Sequence, residues 1–459
     1  YLFFTNEGDI TDNWSQTLDY LEPGTYHQID LIYTKEYDKE GRKFTAYFRN
    51  DIWQEEESEQ VGITELVPFE QSLLDLRTSS IESSRDHLLQ ADYETPLGEN
   101  SKLEVGLRGE TRIISADYSA EQDIDNVWQP ISGFNNILDY YEQIGSAYFQ
   151  YRYKKDAFGL QLGLRNEYTF IRVESDEAGS GDFDKSYNQL FPSASLSYQL
   201  QEGQDLQLSY SRRIRRPQFW QLNPFRGFND PTSLFIGNPD MDPAYTNRVE
   251  LNYVQRWEKL TFNPAIYASR TTDYFEVARD QEATNIFGFD SGTLLSRPIN
   301  LGYEDQYGIE ITMNYRPTED ITIAWDANYY GYQQRGEFGD RSFDFDFATW
   351  TTGLRLQFNL PKDISIQTQG NYRARSKTVQ VLNRANYAGS LSLSKQWNDK
   401  WTLTLTTRSP VWWDMQVSRP SFVLEERGRW VGWRSMVNLQ YRFEKGARSN
   451  GRRNRGSIR

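Results

Sequence analysis

From Ala91 to Phe443 one pattern recurs. A run of about ten residues alternates apolar with polar, a short turn follows, a second alternating run returns, and a longer acidic or aromatic connection intervenes. Leu354, Leu356, Phe358 and Leu360 alternate with Gly353, Arg355, Gln357 and Asn359; beyond Pro361-Lys362-Asp363, Ile364 and Ile366 alternate with Ser365 and Gln367. Successive strand side chains point to opposite faces, so each run is greasy on one side and wet on the other. Repeated with short and long connections in turn, such strands predict an all-β fold, a large antiparallel transmembrane β-barrel. Closing the sheet leaves no unpaired backbone in hydrocarbon.

A net charge of −15 and a mean hydropathy of −0.76 lean towards disorder on averages alone. An aromatic content of 15% argues against it. A barrel reconciles the two, because only half of each strand must be apolar. No run approaches the roughly 18 apolar residues of a transmembrane helix. Cysteine is absent, which fits an oxidising envelope without proving one. Tyr1-Leu2-Phe3-Phe4 has none of the features of a secretory signal, so the chain is read as a mature or truncated piece of a longer exported protein.

Short turns fall at Glu36–Gly41, Leu97–Ser101, Lys154–Asp156, Gln201–Asp205, Arg256–Lys259, Pro317–Asp320, Pro361–Asp363 and Asn398–Lys400. Long connections fall at Ile52–Arg85, Ser115–Asp139, Val173–Lys185, Arg213–Thr246, Glu276–Arg297, Gly331–Phe343, Ala374–Asn383 and Ser409–Arg429. By the usual rule the short turns are periplasmic and the long loops extracellular, giving about 18 strands if Tyr1–Thr5 is the tail of one. Residues 1–443 are then barrel, and 444–459 a basic disordered periplasmic tail. Trp257, Trp397 and Trp401 sit beside short turns, where rings would form a girdle at headgroup depth. A soluble β-sandwich with an aromatic core is the bland alternative.

One region departs from the repeat. Arg212, Arg213, Arg215 and Arg216 leave the top of a strand and run into Pro217, Trp220, Asn223, Pro224 and Arg226. Guanidinium forks bind carboxylates and phosphates, so these residues are candidates for ligand binding or gating. Equally, they could brace the wall by pairing with carboxylates such as Glu167 or Glu250.

The stretch Tyr210-Ser211-Arg212-Arg213 … Arg216-Pro217 … Leu222-Asn223-Pro224-Phe225 … Gly237-Asn238-Pro239 … Glu250-Leu251-Asn252-Tyr253 resembles the mid-barrel pattern of TonB-dependent receptors, closest to the outer-membrane β-barrel family of Bacteroidetes type. Ala91-Asp92-Tyr93, Gly163-Leu164-Arg165-Asn166-Glu167-Tyr168 and Gly308-Ile309-Glu310 support it in the expected order. The resemblance implies 22 strands, an N-terminal plug and uptake of a bulky ligand driven through TonB. No plug or TonB-contacting segment is recognisable, and Ala244 stands where such receptors often carry Glu. Resemblance to outer-membrane barrels also implies that Val437, Leu439, Tyr441 and Phe443 form the signal for the barrel-insertion machinery.

Acidic stretches (Asp51, Glu55, Glu56, Glu57, Glu59, Glu65 and Glu70 in one; Glu174, Asp176, Glu177, Asp182 and Asp184 in another) could recruit Ca²⁺ or attract cationic ligands, or be a solvated outer surface. None has EF-hand spacing, and no metal site or cofactor is predicted. His27 and His87 are the two histidines, and neither stands in a catalytic spacing. An acidic chain without a phosphate-cradling loop is a poor nucleic-acid binder. The expectation is therefore a non-enzymatic outer-membrane receptor or transporter in contact with lipid. The alternatives are a structural, partner-binding barrel of an envelope complex and an ungated porin.

Overall fold

The computed structural model describes residues 2–4, 10–65, 71–176, 182–224, 226–230, 233–282, 293–339, 341–397, 400–418 and 423–443. Twenty-two strand segments join in one sheet. Its first spanning strand, β1, is Ile10–Leu21 continued by Gly24–Glu36, both paired to the same neighbour. Pro23 interrupts it, since proline has no N–H to donate. The remaining spanning strands are β2 (Lys43–Glu65), β3 (Gln71–Pro96), β4 (Ser101–Ile124), β5 (Asn136–Lys155), β6 (Phe158–Ser175), β7 (Phe183–Gln201), β8 (Gln204–Arg215), β9 (Ala244–Arg256), β10 (Leu260–Glu282), β11 (Thr293–Thr318), β12 (Ile321–Arg335), β13 (Phe345–Leu360), β14 (Ile364–Arg373), β15 (Asn386–Trp397), β16 (Trp401–Arg408) and β17 (Arg434–Tyr441).

Each is antiparallel to its successor. Leu2–Phe4 pairs with the start of β1, where the sequence placed the tail of an eighteenth strand. Among the described residues no pairing joins β17 to β1, and every residue of Gly24–Glu36 is exposed.

Register sorts the faces. Leu208, Leu251, Ile266, Ile309, Tyr329 and Trp350 are cross-strand partners in unbroken succession from β8 to β13. They remain between 37% and 59% exposed, an apolar stripe facing away from the interior. The opposite face carries Arg248, Glu250, Glu310, Asn328 and Thr351 in the same ladders. Leu354 points outward while Gly353 and Arg355 point inward, as the alternation requires. Pro264 sits inside β10, and the ladder to β9 breaks beside it between Asn252–Ala265 and Gln255–Phe262.

The short turns from Glu36–Gly41 to Pro361–Asp363 fall where the sequence put them, with Gly41 and Gly203 at positive φ in two of them, while Asn398 and Asp399 of the last expected turn lie outside the described residues. The long connections differ from expectation. Much of 52–85 and 115–139 is not loop: β2 and β3 stay paired out to Glu65–Gln71, and β4 runs to Ile124. Outside the bilayer a strand needs no apolar face. Once the membrane part sets the register, the hydrogen-bonded ladder continues through Glu55-Glu56-Glu57-Ser58.

Candidate functional site

The inner wall is held by ion pairs across neighbouring strands. Arg49 meets Asp30 at 2.9 Å, Arg112 meets Asp86 at 3.1 Å, and Arg248 meets Glu250 at 2.7 Å and Glu310 at 3.7 Å. A cleft of about 190 Å³ in this wall is lined by Arg49, Asp51, Asp86, Arg108, Glu110, Arg112 and Glu142. Its charges are largely spent on one another.

The connection from β8 to β9 behaves differently from every neighbour that projects outward. After Arg216 the chain turns at Pro217 into one helical turn, α1 (Phe219–Leu222), whose start is tied by the Gln218 N–H donating to Gln221 Oε1 at 2.9 Å. Leu222 is 1% exposed and Met241 0%. Both belong to one packed cluster with inward-facing Leu138, Tyr140, Ile171 and Val173 of β5 and β6 and with Phe275 of β10. The described residues of 217–243 thus form a strap lying inside the wall. Fully burying a Leu or Met side chain is worth about 1.5–3 kcal/mol, which offsets the entropy of ordering the strap.

Polar contacts fix its two sides. Lys185 Nζ on β7 donates to the Met241 carbonyl at 2.6 Å and meets Asp242 at 3.0 Å. On β11, Asn300 Oδ1 accepts from the Asp242 N–H at 2.8 Å and its amide donates back to the Asp242 carbonyl at 2.9 Å. Asn238 Nδ2 donates to the Pro298 carbonyl at 3.1 Å, and the Asn238 N–H to the Gln221 carbonyl at 2.6 Å. Gly237 lies so close to Asn223 that a Cβ would stand 2.2 Å from its carbonyl oxygen. Glycine there is a packing requirement. The hairpin Arg226–Asp230/Ser233–Ile236 then adds to the edge of β11, in parallel register with Leu294–Ser296. Leu234, 0% exposed, packs on Ala120, Phe134 and Leu295, so the strap reaches from β4 to β11.

The arginines divide. Arg216 Nη2 donates to Glu167 Oε2 at 2.6 Å and to Thr169 at 3.1 Å, the bracing contact that the sequence offered as one alternative. Glu167 is shared with Arg165 at 2.7 Å. Glu250 is not a partner of this cluster; the guanidinium two residues before it on the same strand face takes it. Arg212 lies over the Tyr245 ring at 5.1 Å and Arg215 over Phe275 at 4.9 Å, while Arg213 is exposed. Trp220 is 48% exposed, its indole donating to Gln218 and its ring 5.2 Å from Phe235. Phe225 and the Arg226 side chain lie outside the described residues, as do residues 444–459.

Sequence reasoning missed Lys185, Asn300, Ile171 and Val173. A signal existed for the last two: at the top of β6 the alternation inverts, with Ile171 and Val173 inward and Arg172 outward. It missed as well an inward aromatic slab, Tyr330, Tyr332, Phe345 and Phe347, with Phe345 and Phe347 stacked at 5.9 Å. Lys377 and Arg375 lie over it at 5.4 and 5.9 Å.

Trp257, Trp397 and Trp401 are 54%, 42% and 42% exposed, each beside a short turn. On β17, Val437 and Leu439 are 70% and 60% exposed, Tyr441 lies against Trp401 at 4.4 Å between ring centres, and Phe443 meets Tyr441 edge-on at 4.7 Å. Among the described residues no cluster of acidic or histidine side chains has the geometry of a metal site.

These features define an outer-membrane β-barrel. Residues 35–422 match the Outer membrane protein beta-barrel family, and the chain belongs to it. No curated protein matches the sequence. Among solved structures, the FrpB iron transporter from Neisseria meningitidis is similar at 12% identity and a TM-score of 0.52, over 96% of this chain and 75% of that one. The copper transporter OprC gives 12% identity and 0.60 over 96% and 74%. The ferric yersiniabactin uptake receptor FyuA from Yersinia pestis gives 12% identity and 0.53 over 87% and 62%. At such identities the likeness concerns the fold.

Proposed function

We propose that this protein is the barrel of an outer-membrane receptor that takes up a bulky ligand, with import driven through TonB by a plug that the full-length protein supplies. The observation that carries this reading is the strap. A strap that covers the inner side of the wall from β4 to β11 lies in the way of a ligand passing through, which must meet it, the inward aromatic slab and the arginines at the strap's root. Arg213 and Arg215, with Trp220, are the first groups an anionic or ring-bearing ligand would reach. Arg212, Arg216, Asn223, Gly237, Asn238 and Pro239 set the strap's shape. The resemblance to TonB-dependent receptors and the likeness in fold to iron and copper transporters and an uptake receptor support the reading.

Within it, Val437, Leu439, Tyr441 and Phe443 are the exposed signal that the barrel-insertion machinery reads before the strand is enclosed. The basic tail beyond Phe443 stays in the periplasm.

The test is genetic. Strains lacking the gene, or lacking TonB, are grown on haem, on a ferric siderophore or on an oligosaccharide as sole iron or carbon source. The proposal expects the same defect in both strains on at least one source, restored by the wild-type gene but not by one lacking residues 217–242. Growth of the deletant equal to the parent on every source, with the barrel purifying in a fixed complex with other envelope proteins, would favour a structural subunit instead.

A further inference from the structure

The inner-wall ion pairs described above lie on β1 to β11. The last four strands are built differently. Between Asp363 and Asp399 the chain has no Asp or Glu but five Lys and Arg residues, in a protein of net charge −15. Cross-strand register then sorts these strands by face. The rung Ile366–Leu393–Leu405–Val437 is the outward one, with Leu393 and Leu405 each 42% exposed. The inward rungs on either side of it are Ser365–Ser394–Thr404–Asn438 and Gln367–Ser392–Thr406–Met436. Hydroxyls meet across the strands, Ser394 with Thr404 at 3.1 Å and Ser392 with Thr406 at 3.0 Å. Nothing in these two rungs is charged.

The next inward rung, Gln369–Ser390–Arg408–Arg434, ends on two arginines directly opposite each other. Like charges in that position cost stability. Arg373 tops the same face of β14, and Arg355 of β13 donates through Nη2 to Gln369 Oε1 at 3.2 Å. Among the described residues none of these four arginines is ion-paired. The paired inward positions from β12 to β17 hold one carboxylate, Asp326, against the four. The connections above do not cancel the excess: 374–385 adds Arg375, Lys377 and Arg384 with no acid, and 409–433 carries three Asp and Glu against three Arg. The strap's described contacts reach from β4 to β11 and stop short of this sector.

A solute that crosses a channel needs contacts favourable enough to enter and weak enough to leave, and arginine or lysine at the mouth selects anions. Hydroxyls and amides each donate and accept, so successive rungs can exchange a passing group without holding it by charge. Confinement in a wall of one sign strengthens the field of the arginines above them.

We propose that the uptake ligand passes along the inner face of β14–β17, and that the arginines at its top admit an anion, a ligand carrying carboxylate or phosphate groups, in preference to a cation. This rests on the uptake reading above and gives it a route and a sign of charge. The strap then faces the ligand from one side and the hydroxyl rungs from the other.

Because the chain has no cysteine, one thiol placed on the route tests both claims. Ser392→Cys, in the full-length protein in intact cells, is treated with two membrane-impermeant methanethiosulfonates, one bearing a sulfonate and one a trimethylammonium group. Dividing their rate ratio by the ratio for the unfolded protein removes the reagents' intrinsic difference. The sulfonate is expected to be favoured at least about fivefold. The triple change R373Q/R408Q/R434Q brings the ratio close to one. Where that variant lacks the heat-modifiable gel mobility of a folded barrel, about 0.5 M salt on S392C alone should do the same by screening. Ser146→Cys, on the inward face of β5, shows no anion preference.

Failure of both reagents to reach S392C in cells with working TonB overturns the route. Equal rates, or a preference for the cation, overturn the sign of charge. An anion preference at S146C as large as at S392C overturns the assignment to this sector. Labelling of S392C that is identical with and without TonB counts against TonB-driven import and leaves the route standing. TonB-dependent growth with an unreactive S392C does the reverse.

Discussion

Two connections of equal length, 52–85 and 213–246, leave the same rim and meet opposite fates. The first continues its strands outward as a straight hairpin, β2 against β3. The second turns back and lies inside the wall as the strap. Backbone pairing alone satisfies the hairpin: its inward rungs carry Glu55, Glu57 and Glu59, which gain nothing from burial. The strap gives up most of its ladder and is held by side chains instead, Leu222 and Met241 by packing and Asp242, Asn238 and Arg216 by polar contacts. A rim segment folds inward when it has apolar anchors and matching partners on the wall; proline and glycine then supply the bends. A run of carboxylates cannot make that move, and stays out.

Substitutions should separate the two regions. The largest effect is expected from Leu222→Ala, which empties a buried site between β5, β6 and β10 and costs about 3 kcal/mol. Chemical unfolding in detergent measures it, and hydrogen exchange should localise the loss to 217–243. Arg216→Ala leaves Glu167 with Arg165 alone and costs about 2 kcal/mol, below the fully buried case because both partners keep some solvent. Glu57→Ala in the hairpin should be neutral or slightly stabilising by the same assay. Gly237→Ala forces a shift against the Asn223 carbonyl and costs about 1–2 kcal/mol. Gly62→Ala, where a Cβ would meet only side-chain atoms of Thr17 and Asp75 at 3.0 and 3.2 Å, should cost less.

The smallest expected effect is on pH dependence. Burial, then the neighbouring Glu59, Glu22 and Glu82, holds the Glu57 carboxyl above its ordinary range; burial does the same to Glu59 and Glu82. A carboxyl raised in the folded state binds protons more tightly folded than unfolded, so stability falls as pH rises through that region. Acidification from neutral towards the ordinary carboxylate range should increase exchange protection of 52–65 and 71–85, after correction for intrinsic rates. A loss of protection there on acidification would mean that the acidic rungs do not limit the hairpin.

Most of the barrel was legible because membrane strands obey a strict period of two, and the turns betray themselves by Gly, Asp and Lys. The outer hairpins were not, since Glu55-Glu56-Glu57 carries no alternation and owes its strand to pairing with a neighbour. At the candidate site, Arg216 and Glu167 could be matched from sequence as opposite charges. Lys185 and Asn300 could not, because their partners are a backbone carbonyl and N–H in the strap, which no side-chain pattern announces.

The chain has no cysteine, which makes one measurement direct. Met241 of the strap is 0% exposed, packed in the cluster of Leu138, Tyr140 and Val173. The M241C protein, expressed in full length and studied in intact outer membranes, should resist a membrane-impermeant maleimide until it is unfolded. A thiol labelled at once from outside the cell would place the strap outside the wall and contradict an inward-folded connection.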